Sequence, residues 1–265
     1  MGGSPADSLV YDGRKGTILV SIPRIETRVS VDGVLDEPVW SRAALLTGFS
    51  QYQPVDGRPS EDSTQVLVWY TPTQVYFGIR AFAPHGTVNA TLAARDKIDS
   101  YDYVPILIDT FNDHRQALVF GVNPLGVQSD GIWSESQQTS SRRPASVDVT
   151  RDFLFESKGR VTDYGYEVEI AIPFSSLRFQ RGGQEQTWGF DAVRFWPRDH
   201  RYRLALNKLD RETSCYLCQA SKVTGFAGAE PGKNLEVNPT LTTGYSETID
   251  SANPTGGLSE NTSKT

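Results

Sequence analysis

Val104-Pro-Ile-Leu-Ile-Asp-Thr110 and Gln116-Ala-Leu-Val-Phe-Gly-Val-Asn123 lie near mid-chain, separated by the polar connection Phe111-Asn-Asp-His-Arg115. Val104, Ile106, Ile108 and Thr110 share one face at period two, as do Leu118, Phe120 and Val122. That alternation predicts two half-buried strands joined at hairpin length, around which two sheets can form. Asp102 in front and Asp130 behind place carboxylates at the hairpin's ends, where ligands tend to be held.

Working outward, Thr64–Tyr70 and Gln74–Phe82 alternate in the same way around the turn Thr71-Pro-Thr73. Ile18–Ile25 reads as a first strand. Asp36 is placed to N-cap a short helix with Glu37 and Pro38 in its first turn, and Trp40 and Ala44, four apart, share its packing face. Downstream, Gly131–Asp148 reads as a polar loop around Trp133. Arg151–Glu156 and Gly165–Ile172 read as strands, with Ser157-Lys-Gly-Arg160 and Thr162-Asp163 between them. Phe174–Phe179 makes a turn or a one-turn helix, and Thr187–Trp196 is a long aromatic strand. No long amphipathic helix is visible. Many short strands bounded by turn signals predict an all-β fold, an antiparallel β-sandwich of jelly-roll-like topology with short helical turns.

Hydrophobic residues make up 38% and aromatics 11% of 265 residues, enough for a sizeable core. The net charge is -6 and basic residues are scattered, which argues against a nucleic-acid partner. No apolar run approaches the ~20 residues of a membrane helix. Met1-Gly-Gly-Ser-Pro-Ala-Asp7 lacks the pattern of a secretion signal, and Met1 is the only methionine; we expect a chain whose native leader is absent. Residues 1–17 read as a flexible lead-in and 229–265 as a linker with a largely flexible tail. Within the tail, Leu235, Val237, Leu241 and Tyr245 share one parity. This suits an edge strand, since Pro239 is tolerated there, or the first strand of a membrane β-barrel.

Val31-Asp-Gly-Val-Leu-Asp-Glu-Pro-Val-Trp40 resembles the opening motif of family 9 carbohydrate-binding modules, a DOMON-like group. The hairpin Val66–Phe82, the block from Asp102 through Ile108-Asp-Thr-Phe-Asn-Asp113 and Val122-Asn-Pro-Leu-Gly126 to Asp130, the run Glu167–Phe179, and Trp188-Gly-Phe190 with Arg194 follow in the family's order. Pro231-Gly-Lys-Asn-Leu-Glu-Val-Asn-Pro239 resembles the segment that leads such a module into an outer-membrane β-barrel in a bacterial family of unknown function. The resemblance implies a sandwich over residues 18–228 that binds a glycan without catalysis, with calcium in some members. It implies export to the outer membrane, periplasm or cell surface, and the chain's own C-terminal barrel as a partner. Glu212-Thr-Ser-Cys-Tyr-Leu-Cys-Gln219 departs from the family pattern.

Pyranose rings have apolar faces and polar edges, so a sugar site needs an aromatic plane beside hydrogen-bonding groups. The candidate ligand-binding residues are therefore Trp133 with Asp130 and Asp102, and Trp196 with Arg194; core or rim packing is the plain alternative for each tryptophan. Asp96, Asp99 and Asp102, spaced by three, are a tentative calcium set. Their plainer reading is a solvated acidic loop, or Asp102 paired with Arg95 or Arg194. The Arg194–Arg203 cluster suits an acidic sugar or another anion, or the nearby aspartates. Cys215 and Cys218 read most simply as a local disulfide in an exported protein. Asn89-Ala-Thr91 and Asn261-Thr-Ser263 match glycosylation sequons.

No phosphate loop and no Gly-x-Ser-x-Gly or His-Glu-x-x-His motif is present, so neither a nucleotide cofactor nor catalysis is expected. A haem held by Met and His is argued against by the single methionine. Glu167 and Glu169 share a strand face; a glycosidase pair is the sharper reading, a solvated face the plainer one.

Overall fold

The computed structural model describes residues 9–16, 18–137, 147–180, 184–210, 212–231, 239, 244–248 and 259–263. The chain falls into two units, Met1–Gly232 and Lys233–Thr265.

The first unit is a sandwich of two sheets. One sheet runs β1 (Val10–Asp12), β3 (Ala44–Thr47), β5 (Thr64–Tyr70), β6 (Gln74–Phe82), β11 (Gly165–Pro173) and β10 (Glu156–Thr162). The other runs β2 (Leu19–Ser21), β14 (Ser221–Gly225), β12 (Gln186–Pro197), β7 (Val104–Asp109), β8 (Gln116–Val122) and β9 (Gln128–Ser134), with β13 (Arg201–Ala205) and β4 (Ser50–Gln53) continuing from the end of β12. Pairing is antiparallel except where β1 joins β3 and β2 joins β14. Both exceptions place an N-terminal strand at a sheet edge. In the second unit β15 (Gly244–Thr248) pairs antiparallel with β16 (Ser259–Ser263). Of the proposed barrel strand over 234–245, only Pro239, Gly244 and Tyr245 fall among the described residues.

The hairpin forms as its alternation dictates, with Val104 opposite Val122 and Ile106 opposite Phe120. Val104, Ile106, Ile108, Phe120 and Val122 face the space between the sheets, where they meet Val66, Val68, Phe77, Ile79, Val168 and Ile170 of the opposite sheet. The Phe77 and Phe190 rings stack across the interface at 6.0 Å. Each such buried side chain contributes on the order of 1.5–3 kcal/mol of transfer free energy.

Several local expectations are corrected. The short helix is a 3-10 turn, Pro38–Arg42, whose N-cap is Glu37, not Asp36, and no side chain caps it. The strand placed at Arg151–Glu156 begins where that segment ends, as β10; its Gly159 and charged residues lie on an exposed edge. Gly131–Ser134, read as loop, belongs to β9, so Trp133 sits in a strand.

The segment after β2 folds over the outer face of the first sheet. Leu35, Val39 and Trp40 pack there on Trp69, Tyr76 and Ala171, with the Trp69 and Tyr76 rings stacked at 4.1 Å. Gly78 makes room for this cover: a Cβ there would sit 2.7 Å from Leu35 Cδ2 and 2.8 Å from Trp40 Cζ3. Glu167 and Glu169 lie beneath the same cover, 4% and 1% exposed. The solvated-face reading fails because the cover's backbone claims them. Glu169 Oε2 accepts the amides of Asp32 and Gly33 at 2.8 Å each. Glu167 accepts from Arg80 at 3.1 Å, Arg160 at 3.0 Å and the Tyr164 hydroxyl at 2.7 Å.

Candidate functional site

Side-chain parity along the second sheet sorts the candidate residues. Arg194 and Trp196 share the parity of Trp188, Phe190 and Ala192, which face the inter-sheet core. Asp130 lies opposite Phe120 and faces the same way. Trp133 has the other parity: it is 6% exposed, packs with Leu107, Val119 and Val193, and meets Tyr216 at 5.0 Å. Trp133 therefore does not join the other candidates, and the face that holds it is covered by Leu209, Tyr216 and Leu217.

Asp102, Arg194 and Trp196 do come together at one end of the sandwich. Tyr103 exchanges backbone hydrogen bonds with Phe195 at 3.0 and 3.3 Å, and their rings stack at 4.7 Å. This register carries Asp102 to the end of β12. There its partner is Arg198, not Arg95 or Arg194: Nη1 donates to Oδ1 at 3.0 Å and Nη2 to Oδ2 at 2.9 Å. The Asn89 amide adds a bond to Oδ2 at 2.8 Å. The Arg198 guanidinium lies 4.9 Å from the Trp196 ring centroid, and the Tyr202 ring is 5.1 Å from it. Trp196 remains partly exposed.

Arg194 is sealed behind this rim with no solvent exposure. Its Nη1 donates to Thr64 Oγ1 at 3.2 Å and to the Ser63 carbonyl at 3.4 Å. Its guanidinium sits 5.6 Å from the Trp196 ring and 5.8 Å from that of Tyr166. Burial pushes the Tyr166 hydroxyl well above its ordinary pKa, so it stays protonated beside the cation.

Asp130 belongs to a separate network, three strand spacings from β12, or roughly 14 Å across the sheet. It accepts from Arg95 and from the Phe153 amide. Burial raises its pKa, and these two partners act against that rise. Asp96 Oδ1 accepts the Asp130 amide at 3.0 Å. With Asp96 and Asp102 engaged in this way and Asp99 exposed, the three do not converge as a calcium ligand set. Among the described residues no group of three or more His, Cys, Asp or Glu side chains is gathered for a metal. Cys215 and Cys218 are joined by a disulfide.

The candidate list missed Arg198 and Tyr202, although both stand in the quoted basic cluster. The missing information was the Tyr103–Phe195 register, which brings the cluster to Asp102. Also unforeseen is a cleft of about 770 Å³ elsewhere, lined by Arg28, Thr71, Gln74, Tyr76 and Glu156 among others. Its one aromatic floor residue, Tyr76, is already stacked on Trp69. Tyr76 is 6% exposed, whereas Trp196 keeps part of its surface exposed, so the rim is better suited to an aromatic-platform ligand.

No protein-family model and no curated protein matches the chain. Solved structures do share its fold. A family 9 carbohydrate-binding module from Caldicellulosiruptor kristjanssonii, in complex with cellotriose, superposes with a TM-score of 0.54 at 13% identity, covering 84% of this chain and 99% of that one. The same organism's module with glucose gives 0.55 at 13% identity, covering 83% and 100%. A proposed carbohydrate-binding protein from Bacteroides uniformis ATCC 8492 gives 0.57 at 11% identity, covering 78% and 99%. At these identities the likeness is one of fold.

Proposed function

We propose that the sandwich is a non-catalytic glycan-binding module whose contact surface is the rim formed by Trp196, Arg198 and Tyr202, with Asp102 buried behind Arg198. The observation that carries this reading is Trp196 itself. The residue keeps part of its surface exposed while Arg198 and Tyr202 lie against its ring. A held aromatic face beside charged hydrogen-bonding groups matches the two surfaces of a pyranose and costs little ordering entropy on binding. The shared fold with modules solved with cellotriose and glucose supports the same reading.

The disulfide supports export, because such bonds persist in oxidising compartments. Attachment to an outer-membrane barrel rests on the resemblance of Pro231–Pro239 alone, and membrane fractionation of the native protein tests it.

A glycan array followed by titration calorimetry, with calcium and with a chelator, tests the main reading. Binding to at least one glycan class that is lost in Trp196→Ala is expected. Absence of binding to every saccharide would leave the rival reading, a structural or docking module. A dependence on added calcium would restore the metal to the account.

A further inference from the structure

We infer that the glycan is acidic, a saccharide bearing a carboxylate, and that Arg194 and Arg198 select it by charge; this rests on the reading of the Trp196 rim as a glycan site. The rim holds two guanidinium groups against one buried carboxylate. Both oxygens of Asp102 are taken by Arg198. The partners of Arg194 are all neutral, the Thr64 hydroxyl, the Ser63 carbonyl and the Tyr166 hydroxyl, and no carboxylate lies within ion-pair distance of it among the described residues. One buried positive charge is thus left without a counter-charge at contact.

The hydrogen-bond inventory is skewed in the same direction. Among the described residues, buried donors without an acceptor include Arg194 Nε and Nη2, Arg198 Nε and Trp196 Nε1. They are N–H groups around one aromatic ring, and the buried Tyr166 hydroxyl beside Arg194 is a neutral acceptor that supplies no counter-charge. A buried cation without a counter-charge is costly to a fold, so a cluster short of negative charge favours an anion at its edge. Arg194 is sealed and does not touch the ligand. Its field emerges through the low-dielectric wall at the mouth, where Trp196 and Arg198 are partly exposed. Asp99 and Asp199 stand exposed, where solvent and salt screen them, and the buried Asp191 has the opposite parity to Arg194 on β12, where Tyr216 donates to it. A uronic acid residue offers both required features, an apolar ring face for Trp196 and a carboxylate whose charge can approach the partly exposed Arg198.

Uronic-acid trisaccharides of α and β linkage, compared with their own methyl esters and with cellotriose by calorimetry, isolate the charge. At least one free acid is expected to bind about tenfold more tightly than its ester at low ionic strength, with the gap closing as salt shortens the screening length. In Arg194→Met and in Arg198→Gln the acid-to-ester ratio is expected to fall towards one; thermal unfolding verifies each variant's fold, and either suffices if the other fails. Esters or cellotriose binding as well as or better than the acids would overturn the acidic assignment and leave the glycan reading standing. Failure of every saccharide to bind would remove the glycan reading itself. An acid preference unchanged in both folded variants would overturn the role given to the arginines.

Discussion

The carboxylate of Asp102 and the guanidinium of Arg198 meet edge to edge, with Oδ1 3.0 Å from Nη1 and Oδ2 2.9 Å from Nη2. Asp102 has no exposed surface, and the Arg198 side chain keeps 19% of its own. The pair ties the long β6–β7 connection to the β12–β13 turn. Removing one partner of a buried pair leaves the other charge uncompensated. Asp102→Ala is therefore expected to cost roughly 3 kcal/mol in urea unfolding at neutral pH. A loss below about 1 kcal/mol would place the pair with ordinary surface bridges.

Glu169 gives the stability an unusual pH dependence. Burial pushes its pKa from 4.5 up to about 7, against the two backbone amides and with help from Glu37 and Asp32. Between those values the folded state keeps a proton that the unfolded chain has released, so its contribution falls as pH rises through the window. Asp191, raised by burial from 3.8 to about 6, acts in the same sense. Glu167 acts oppositely: burial would raise it, but bonds from Tyr164, Arg80 and Arg160 leave it lowered, and its contribution is lost as pH falls. Glu169→Gln is expected to flatten the slope between 4.5 and 7 and to match or exceed the parent by on the order of 1–3 kcal/mol above neutrality. An unaltered slope in denaturant midpoints across this range would remove Glu169 from the account.

How much of this was legible in the sequence varies with distance from the core. The strands Val104–Asp109, Gln116–Val122, Thr64–Tyr70 and Gln74–Phe82 were readable because burial imposes period two on their side chains. Edge strand β10 was not, since its exposed side chains need not alternate. β9 was missed because Ser129, Asp130 and Ser134 interrupt the pattern, and Asp130 and Ser134 make specific bonds that no local rule foretells. Trp133 and Trp196 look alike in sequence; only register decides that one is covered by Leu217 and Tyr216 while the other reaches the rim. The Glu167 and Glu169 pair misled for the same reason, as its cover comes from Asp32–Leu35, far away in the chain.

The two tryptophans are expected to separate stability from binding. Trp133→Ala empties a packed site between Ala117, Val193 and Leu217 and should cost about 3–5 kcal/mol. It should leave glycan affinity untouched in the fraction that folds. Trp196→Ala should cost distinctly less and abolish binding. Equal stability losses, or binding that survives Trp196→Ala, would contradict the placement of the rim.

Gly78 is expected to be the point at which the Asp32–Arg42 cover can be pried from the sheet. Its backbone needs no glycine-only conformation, so the constraint is space alone: an added methyl meets Leu35 Cδ2 at 2.7 Å and Trp40 Cζ3 at 2.8 Å. Leu35 can change rotamer, but Trp40 is wedged against Trp69 at 6.0 Å and tied to Glu37 by its indole N–H at 3.0 Å. Gly78→Ala should therefore cost about 1–3 kcal/mol through overpacking. Leu35→Ala alone should cost about 2–5 kcal/mol through the cavity it leaves. In the double variant the new methyl grows into the space Leu35 vacates, so the combined loss should fall short of the sum by at least ~0.5 kcal/mol. Strict additivity in thermal unfolding would mean that the cover does not press on Gly78 as the structure places it.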